Sequence, residues 1–247
     1  MVMIHGSYAT TSTWKQMLPM LTGDYRCILI KLPGHCGTPD PSDFDAANIE
    51  TERSIIEAII EQECDEPVHL VGHSYGGVVA LALALSGRLQ LSQLTLFEPV
   101  ATWVLDVQED LPSMKLVTDF LKHYRRSVEL DLPNACGLVI DFWSGGNHFD
   151  QFPNSVKLMM SNLQRNNVRH WDICTNAEFT QSDLMALEVC TTIIYGNQSN
   201  VVAKNIAEHL DQLLSKSNLI EIDGASHGLV ASHATECVDA MMLNTAT

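Results

Sequence analysis

Residues 68–85 read VHLVGHSYGGVVALALAL, and the fold follows from where two periodicities meet in that stretch. Val68, Leu70 and Val71 form a short apolar run before Gly72, as a buried strand would. From Val78 to Leu85 the apolar run is too long for a strand and rich in Ala and Leu, so it predicts a buried helix. Ser74 therefore falls on a strand-to-helix turn, inside Gly72-His73-Ser74-Tyr75-Gly76. A Gly-x-Ser-x-Gly pattern carries chemical meaning only there. The turn strains the serine backbone, the glycines let neighbouring chain pass without a Cβ clash, and the hydroxyl stands exposed over the sheet. The Tyr75 amide points at the helix start, where backbone donors favour developing negative charge. The plain alternative is a chance pentapeptide in a Gly-rich loop; the periodic segments on both sides argue for a nucleophile.

Upstream, Val2-Met3-Ile4 predicts a strand leading into His5-Gly6-Ser7. Ser12 or Thr13 can cap a helix with Trp14, Met17, Leu18 and Leu21 on its apolar face, ended by Gly23-Asp24. Tyr25 to Leu32 predicts the next strand, stopped by Pro33-Gly34, and Pro39 and Pro41 keep the following loop extended. A helix fits Asn48 to Glu63, with Ile55, Ile56, Ile59 and Ile60 on one face and Glu52, Glu57, Glu61 and Glu63 facing water.

Downstream, Gln93 to Phe97 predicts a strand that ends at Glu98-Pro99. Helical periodicity then dominates, with one stripe on Leu116, Val117, Phe120, Leu121 and Tyr124 and another on Val156, Leu158, Met159 and Leu163. Val189 to Tyr195 resumes a strand, Asn205 to Leu214 a helix, and Asn218 to Ile222 a last strand. The loop Asp223 to Gly228 carries His227, and a final helix spans Thr235 to Leu243. This pattern predicts a core of residues 1–98 and 189–247 with a helical insertion, 99–188, that holds three of the four tryptophans and reads as a lid over the strand ends.

The chain resembles the α/β-hydrolase superfamily over nearly its whole length. The resemblance rests on Ile4-His5-Gly6-Ser7, Leu32-Pro33-Gly34-His35, the Ser74 turn, Leu96-Phe97-Glu98-Pro99, Tyr195-Gly196 and Gly224-Ala225-Ser226-His227-Gly228, in the superfamily's order. It implies an α/β fold of three layers, a mostly parallel sheet with helices on both faces, and a serine, an acid and a histidine in that chain order. It also implies an oxyanion hole from the backbone amides of Ser7 and Tyr75. In the superfamily the strand at Val2 is usually the third, after an antiparallel pair. A naturally short N-terminal end or a longer parent chain would each account for its position here.

Acyl transfer by a serine needs a base that takes the hydroxyl proton and later returns it to the leaving group. His227 is the candidate, because a small-residue loop after the last strand can hold an imidazole over the serine. The other nine histidines have weaker claims: His5 and His73 belong to the motif turns, and His170 is among those with no motif context. The acid departs from the commonest family pattern. Where most relatives place an aspartate, this chain reads Gly196-Asn197-Gln198-Ser199-Asn200, with no carboxylate. Glu98 offers a second solution, since some haloalkane dehalogenases of similar architecture place their acid at that point. A serine or asparagine of the 197–200 segment, a two-residue site, or Asp223 remains open at this level.

A serine at position 74 disfavours the branches with a carboxylate nucleophile and favours acyl transfer to water. The first expectation is a carboxylic-ester hydrolase working through an acyl-enzyme on a small, partly apolar acyl substrate, with thioesters, lactones or C–C bonds within the same chemistry. Trp103, Phe142, Trp143, Phe149, Phe152 and Trp171 would wall an apolar pocket, or simply pack the lid. A ligand-binding or receptor protein with little turnover is the alternative that the missing aspartate suggests. A serine-dependent lyase is a third, weakened by the lack of a lysine near the serine turn, Lys31 aside. No Walker or dinucleotide glycine pattern and no metal-ligand spacing appears, so neither cofactor nor metal is expected.

The 247 residues carry a formal net charge of −16, spread along the chain. Nucleic acid and anionic membrane are thereby disfavoured as partners, since both need a basic face. Seven cysteines without a C-x-x-C pair read as reduced thiols of a cytoplasmic protein, and no secretory leader pattern opens at Met1.

Overall fold

Six strands, β1 (Val2–Ile4), β2 (Ile28–Ile30), β3 (Val68–His73), β4 (Leu91–Phe97), β5 (Thr191–Gly196) and β6 (Ser217–Ile222), form the sheet of the computed structural model, which describes residues 1–21, 25–176 and 179–243. All pair in parallel, in the order β2-β1-β3-β4-β5-β6. Alternate residues serve two separate cores. Val2, Ile4, Leu70, Leu96 and Ile193 pack on one face, while Met3, Val71, Phe97 and Ile194 pack on the other. A strand buried on both faces has no polar side, which is why these segments read as apolar runs.

On the first face lie α2 (Glu50–Glu63), α3 (Tyr75–Leu85) and α10 (Val201–Leu213); on the second lie a 3-10 turn (Thr11–Trp14), α1 (Leu18–Leu21), α11 (Leu229–Ser232) and α12 (Ala234–Met242). Between β4 and β5 run α4 (Trp103–Val107), α5 (Leu111–Glu129), α6 (Ala135–Ser144), α7 (Asn154–Asn162), α8 (Gln164–Asn176) and α9 (Gln181–Met185), with no strand among the described residues. No described helix is long and apolar enough to cross a membrane.

The elements match the expected order, and the differences have local causes. Thr10, not Ser12 or Thr13, caps the first turn, its hydroxyl accepting from the Ser12 amide at 3.2 Å. Gly23-Asp24, expected to end that helix, lies outside the described residues. The expected strand at Tyr25–Leu32 contracts to three residues, because β2 is an edge that pairs only with the three residues of β1. Helix α10 starts earlier, at Val201, because the Asn200 side chain accepts from Val202 N at 2.8 Å. Leu116 and Leu158 leave their stripes for the surface.

Glu52 and Glu57 overturn the reading of α2. Both are buried, while Ile55 is exposed. Arg169 of α8 meets the Glu52 carboxylate with Nη1 at 2.5 Å, and Arg53 and Arg88 cover Glu57. A carboxylate is buried when a guanidinium from elsewhere desolvates with it, and that partner is 117 residues away.

The chain leaves β1 toward β2 on one side and returns to β3 on the other, so strand order reverses between β1 and β3. The loops at their carboxyl ends diverge there, leaving the crevice in which open α/β sheets bind ligands. Close approach across it needs bare backbone: a Cβ on Gly76 would lie 2.2 Å from the Ile4 carbonyl oxygen. Gly72 is equally constrained, its Cβ falling 2.2 Å from Gly76 O.

Candidate active site

Ser74 occupies the one-residue turn between β3 and α3 with φ 58° and ψ −123°, strained for any residue bearing a Cβ. Its amide donates to Phe97 O at 3.0 Å and its carbonyl accepts from Gly77 N at 2.9 Å, so strand β4 and helix α3 jointly hold the turn. Glu98 follows β4 with φ 42°, also in the left-handed region, and is fully buried. Its amide donates to Ile194 O of β5 at 2.9 Å. The loop after β6 brings His227 across, its carbonyl accepting from His73 Nε2 at 2.8 Å.

These three side chains meet. His227 Nε2 lies 3.0 Å from Ser74 Oγ, and His227 Nδ1 lies 2.6 Å from Glu98 Oε2. Facing a carboxylate, Nδ1 carries the proton of the neutral ring, so Nε2 presents its lone pair to the serine hydroxyl. The Trp143 ring stacks on the imidazole with centroids 5.6 Å apart.

The segment without a carboxylate serves the carboxylate that Glu98 supplies. Gly196 N and Ser199 Oγ donate to Glu98 Oε1 at 2.8 and 2.6 Å. Neither Ser199 nor Asn200 reaches His227: Asn200 donates to Phe142 O and caps α10. Asp223 faces away, accepting from Asn197 Nδ2 at 2.7 Å.

Ser7 stands at the end of β1 and Tyr75 at the start of α3, on the two banks of the crevice. Neither amide N–H makes a hydrogen bond among the described residues. The first amides of any helix lack an intrahelical partner, so the Tyr75 N–H is open to an acceptor in the crevice. His73, packed 5.1 Å from the His227 ring, is pushed down to about 3 by burial, reinforced by repulsion from His227. It therefore adds no positive charge beside the His227 imidazole.

His170 of α8 was not singled out by its sequence. It reaches the crevice from 163 residues away, its Nδ1 2.6 Å from Ser7 Oγ. Its ring stacks on Tyr75 with centroids 3.7 Å apart. Burial, helped by repulsion from His35 and Arg169, holds it well below the ordinary histidine range and so neutral. No sequence signal marked it, because nothing around His170 repeats a motif.

A cavity of about 230 Å³ opens over Ser74 and His227, with Ser7 and Tyr8 on the core side and Trp143, Met160 and Trp171 on the helical side. Of the six aromatics expected to wall a pocket, Trp143, Phe152 and Trp171 line it. Trp103 packs against Phe179, Phe142 stacks on Phe120, and Phe149 covers Gly137, where a Cβ would meet its ring at 2.6 Å. No group of three His, Cys, Asp or Glu is arranged to hold a metal ion among the described residues.

The model of the alpha/beta hydrolase family matches residues 1–240. The chain belongs to that family. This alpha/beta hydrolase is 26% identical over 250 residues to the pimeloyl-[acyl-carrier protein] methyl ester esterase of Neisseria meningitidis serogroup A, covering 94% of this chain and 72% of that one. Among solved structures, an esterase from Exiguobacterium antarcticum superimposes with a TM-score of 0.74 at 21% identity, over 98% of this chain and 89% of that one. MenH from S. aureus gives 0.69 at 20% identity, over 98% and 91%. At that identity the two structures establish a shared fold.

Proposed function

We propose that this alpha/beta hydrolase cleaves carboxylic esters by a serine mechanism, with Ser74 as nucleophile, His227 as general base and then acid, and Glu98 as the group that orients His227. The observation that carries the reading is the unbroken line from Ser74 Oγ through His227 to Glu98, at 3.0 and 2.6 Å. As Ser74 Oγ attacks the ester carbonyl, its proton passes to His227 Nε2. The imidazolium so formed is stabilised by Glu98 across Nδ1–H. The carbonyl oxygen, now bearing the charge, is met by the amides of Ser7 and Tyr75, each such donor being worth about a hundredfold or more in rate. His227 returns the proton to the departing alkoxide, leaving an acyl-enzyme, and a water activated by the same imidazole releases the acid.

Residues 99–188 serve as the lid in this reading, because Trp143, Met160 and Trp171 come from them to the cavity over Ser74. The cavity falls below the roughly 300–1,000 Å³ of drug-sized pockets, so one small acyl or alcohol portion fits inside. A methyl ester, the substrate type in the name of the Neisseria relative, is the model we adopt for the leaving group. Seven free thiols support a reducing, cytoplasmic setting.

The binding-protein alternative drew on the missing aspartate; Glu98, in contact with His227, weakens it. Incubation with a fluorophosphonate probe and short p-nitrophenyl esters tests the proposal. Ser74 is expected to be the labelled residue, and Ser74→Ala to lose labelling and turnover together. Wild-type protein that stays unlabelled under excess probe would overturn it.

A further inference from the structure

The cavity over Ser74 combines two properties: no Lys, Arg, Asp or Glu lines it, and one wall holds an amide with unspent donors. The nearest guanidinium on the lining helix, Arg169, turns the other way. It is buried against Glu52 and Asp43, with Nη1 at 2.5 Å from Glu52 and Nε at 2.7 Å from Asp43, so its charge is already spent. A carboxylate entering the cavity would leave water with no cationic side chain on the lining to pair with it, which disfavours a charged acyl group.

The donors lie on Asn167, whose oxygen is turned to Tyr124. Tyr124 Oη donates to Asn167 Oδ1 at 2.7 Å. Tyr124 has one proton, so its 2.8 Å contact with Tyr8 Oη is filled by the proton of Tyr8. With Oδ1 of the Asn167 amide facing Tyr124, both phenol protons run toward it. Its Nδ2, with two N–H groups, makes no hydrogen bond among the described residues, although Asn167 is only 2% exposed and lines the cavity. A side-chain amide bonded through its oxygen, with its nitrogen unbonded at the cavity wall, offers donors to an acceptor that enters the cavity.

We propose that the acyl group of the substrate is uncharged and carries a carbonyl oxygen, as in an oxo-acyl ester, which accepts from Asn167 Nδ2. Asn167 is then a specificity residue for the ester hydrolysis proposed above, and the inference rests on that reading.

The test is a set of methyl esters compared by kcat/KM. Methyl hexanoate supplies the plain chain; methyl 4-oxopentanoate, 5-oxohexanoate and 6-oxoheptanoate move the ketone along it; monomethyl glutarate replaces the 5-oxohexanoate methyl ketone by a carboxylate of the same shape. One oxo ester is expected to exceed methyl hexanoate by about tenfold or more, the scale of one added hydrogen bond to a buried donor. Monomethyl glutarate is expected to fall at least about a hundredfold below its ketone counterpart. In Asn167→Leu the ratio of oxo to plain ester collapses toward one, and because it is read within one protein, partial unfolding does not move it. Equal rates for plain and oxo esters at every ketone position, or a carboxylate ester cleaved as fast as the ketone, would overturn the inference. Thermal shift of Ser74→Ala with the oxo esters separates the two readings. Stabilisation without hydrolysis in the wild type would sink ester cleavage and uphold the acceptor site, whereas neither stabilisation nor preference would sink the acceptor site.

Discussion

Glu98 keeps a left-handed backbone, φ 42°, while fully buried, a conformation that costs a non-glycine residue about 1–3 kcal/mol. Three short hydrogen bonds, from Gly196 N, Ser199 Oγ and His227 Nδ1, converge on its carboxylate and hold it there. Replacing Glu98 with Gln preserves the shape and removes the carboxylate facing His227. Turnover of a p-nitrophenyl ester is expected to fall on the order of 10³-fold or more. A fall below about tenfold, equivalent to about 1.4 kcal/mol of barrier, would show that Glu98 does not orient His227. Ser199→Ala removes one of the three bonds, and a smaller loss of about tenfold is expected in the same assay. At this scale the serine was legible because its turn is written in adjacent residues. Glu98 was legible only as one of several acids, since its contacts with His227 and Ser199 span 129 and 101 residues of chain.

Between elements, a buried ion pair joins α8 to α2. Arg169 is 1% exposed and Glu52 is wholly enclosed. The same guanidinium grips Asp43 in the loop before α2, holding that carboxyl down to about 2 against the opposing effect of burial. Its neighbour His170 carries the contact to Ser7, so α8 is fixed to the core on both sides of one turn. Arg169→Met strands a buried carboxylate, and chemical denaturation is expected to show a loss of about 3–5 kcal/mol. The double variant Arg169→Met with Glu52→Leu should recover most of it, because the desolvated charge goes with its partner. A double variant as unstable as the single one would refute this account. Helix existence was readable from 3.6-residue spacing, and boundaries moved where caps intervened, as at Asn200. The face of α2 was misread because Glu52 and Glu57 look solvated until the arginines that cover them are in place.

Across the whole molecule, buried histidines set the acid limit of the fold. Burial, the largest cause for each, pushes His5 and His69 down to about 4 and His73 to about 3, against about 6.5 when unfolded. The folded state excludes protons that the unfolded chain binds, so this stability is complete above about pH 6.5 and is lost as pH falls toward 4 and 3. Asp43, lowered to about 2, adds a separate loss below about pH 4. Urea denaturation at pH 7.5 and pH 5 is expected to differ by on the order of 2 kcal/mol for each such histidine. His69→Leu, which removes a side chain bonded to Thr95 Oγ1 at 2.8 Å, should flatten that difference by one histidine's share. An unchanged pH difference in that variant would remove buried histidine as the cause. The sequence by itself determined the order of strands and helices, the turn at Ser74 and the glycines beside it, because apolar periodicity and turn geometry act between near neighbours. Only the tertiary structure decided which acid faces His227, why Glu52 is buried and where Asn167 points. A parallel sheet sets the carboxyl ends of strands distant in sequence side by side, and which polar groups then meet is a matter of packing across the whole chain.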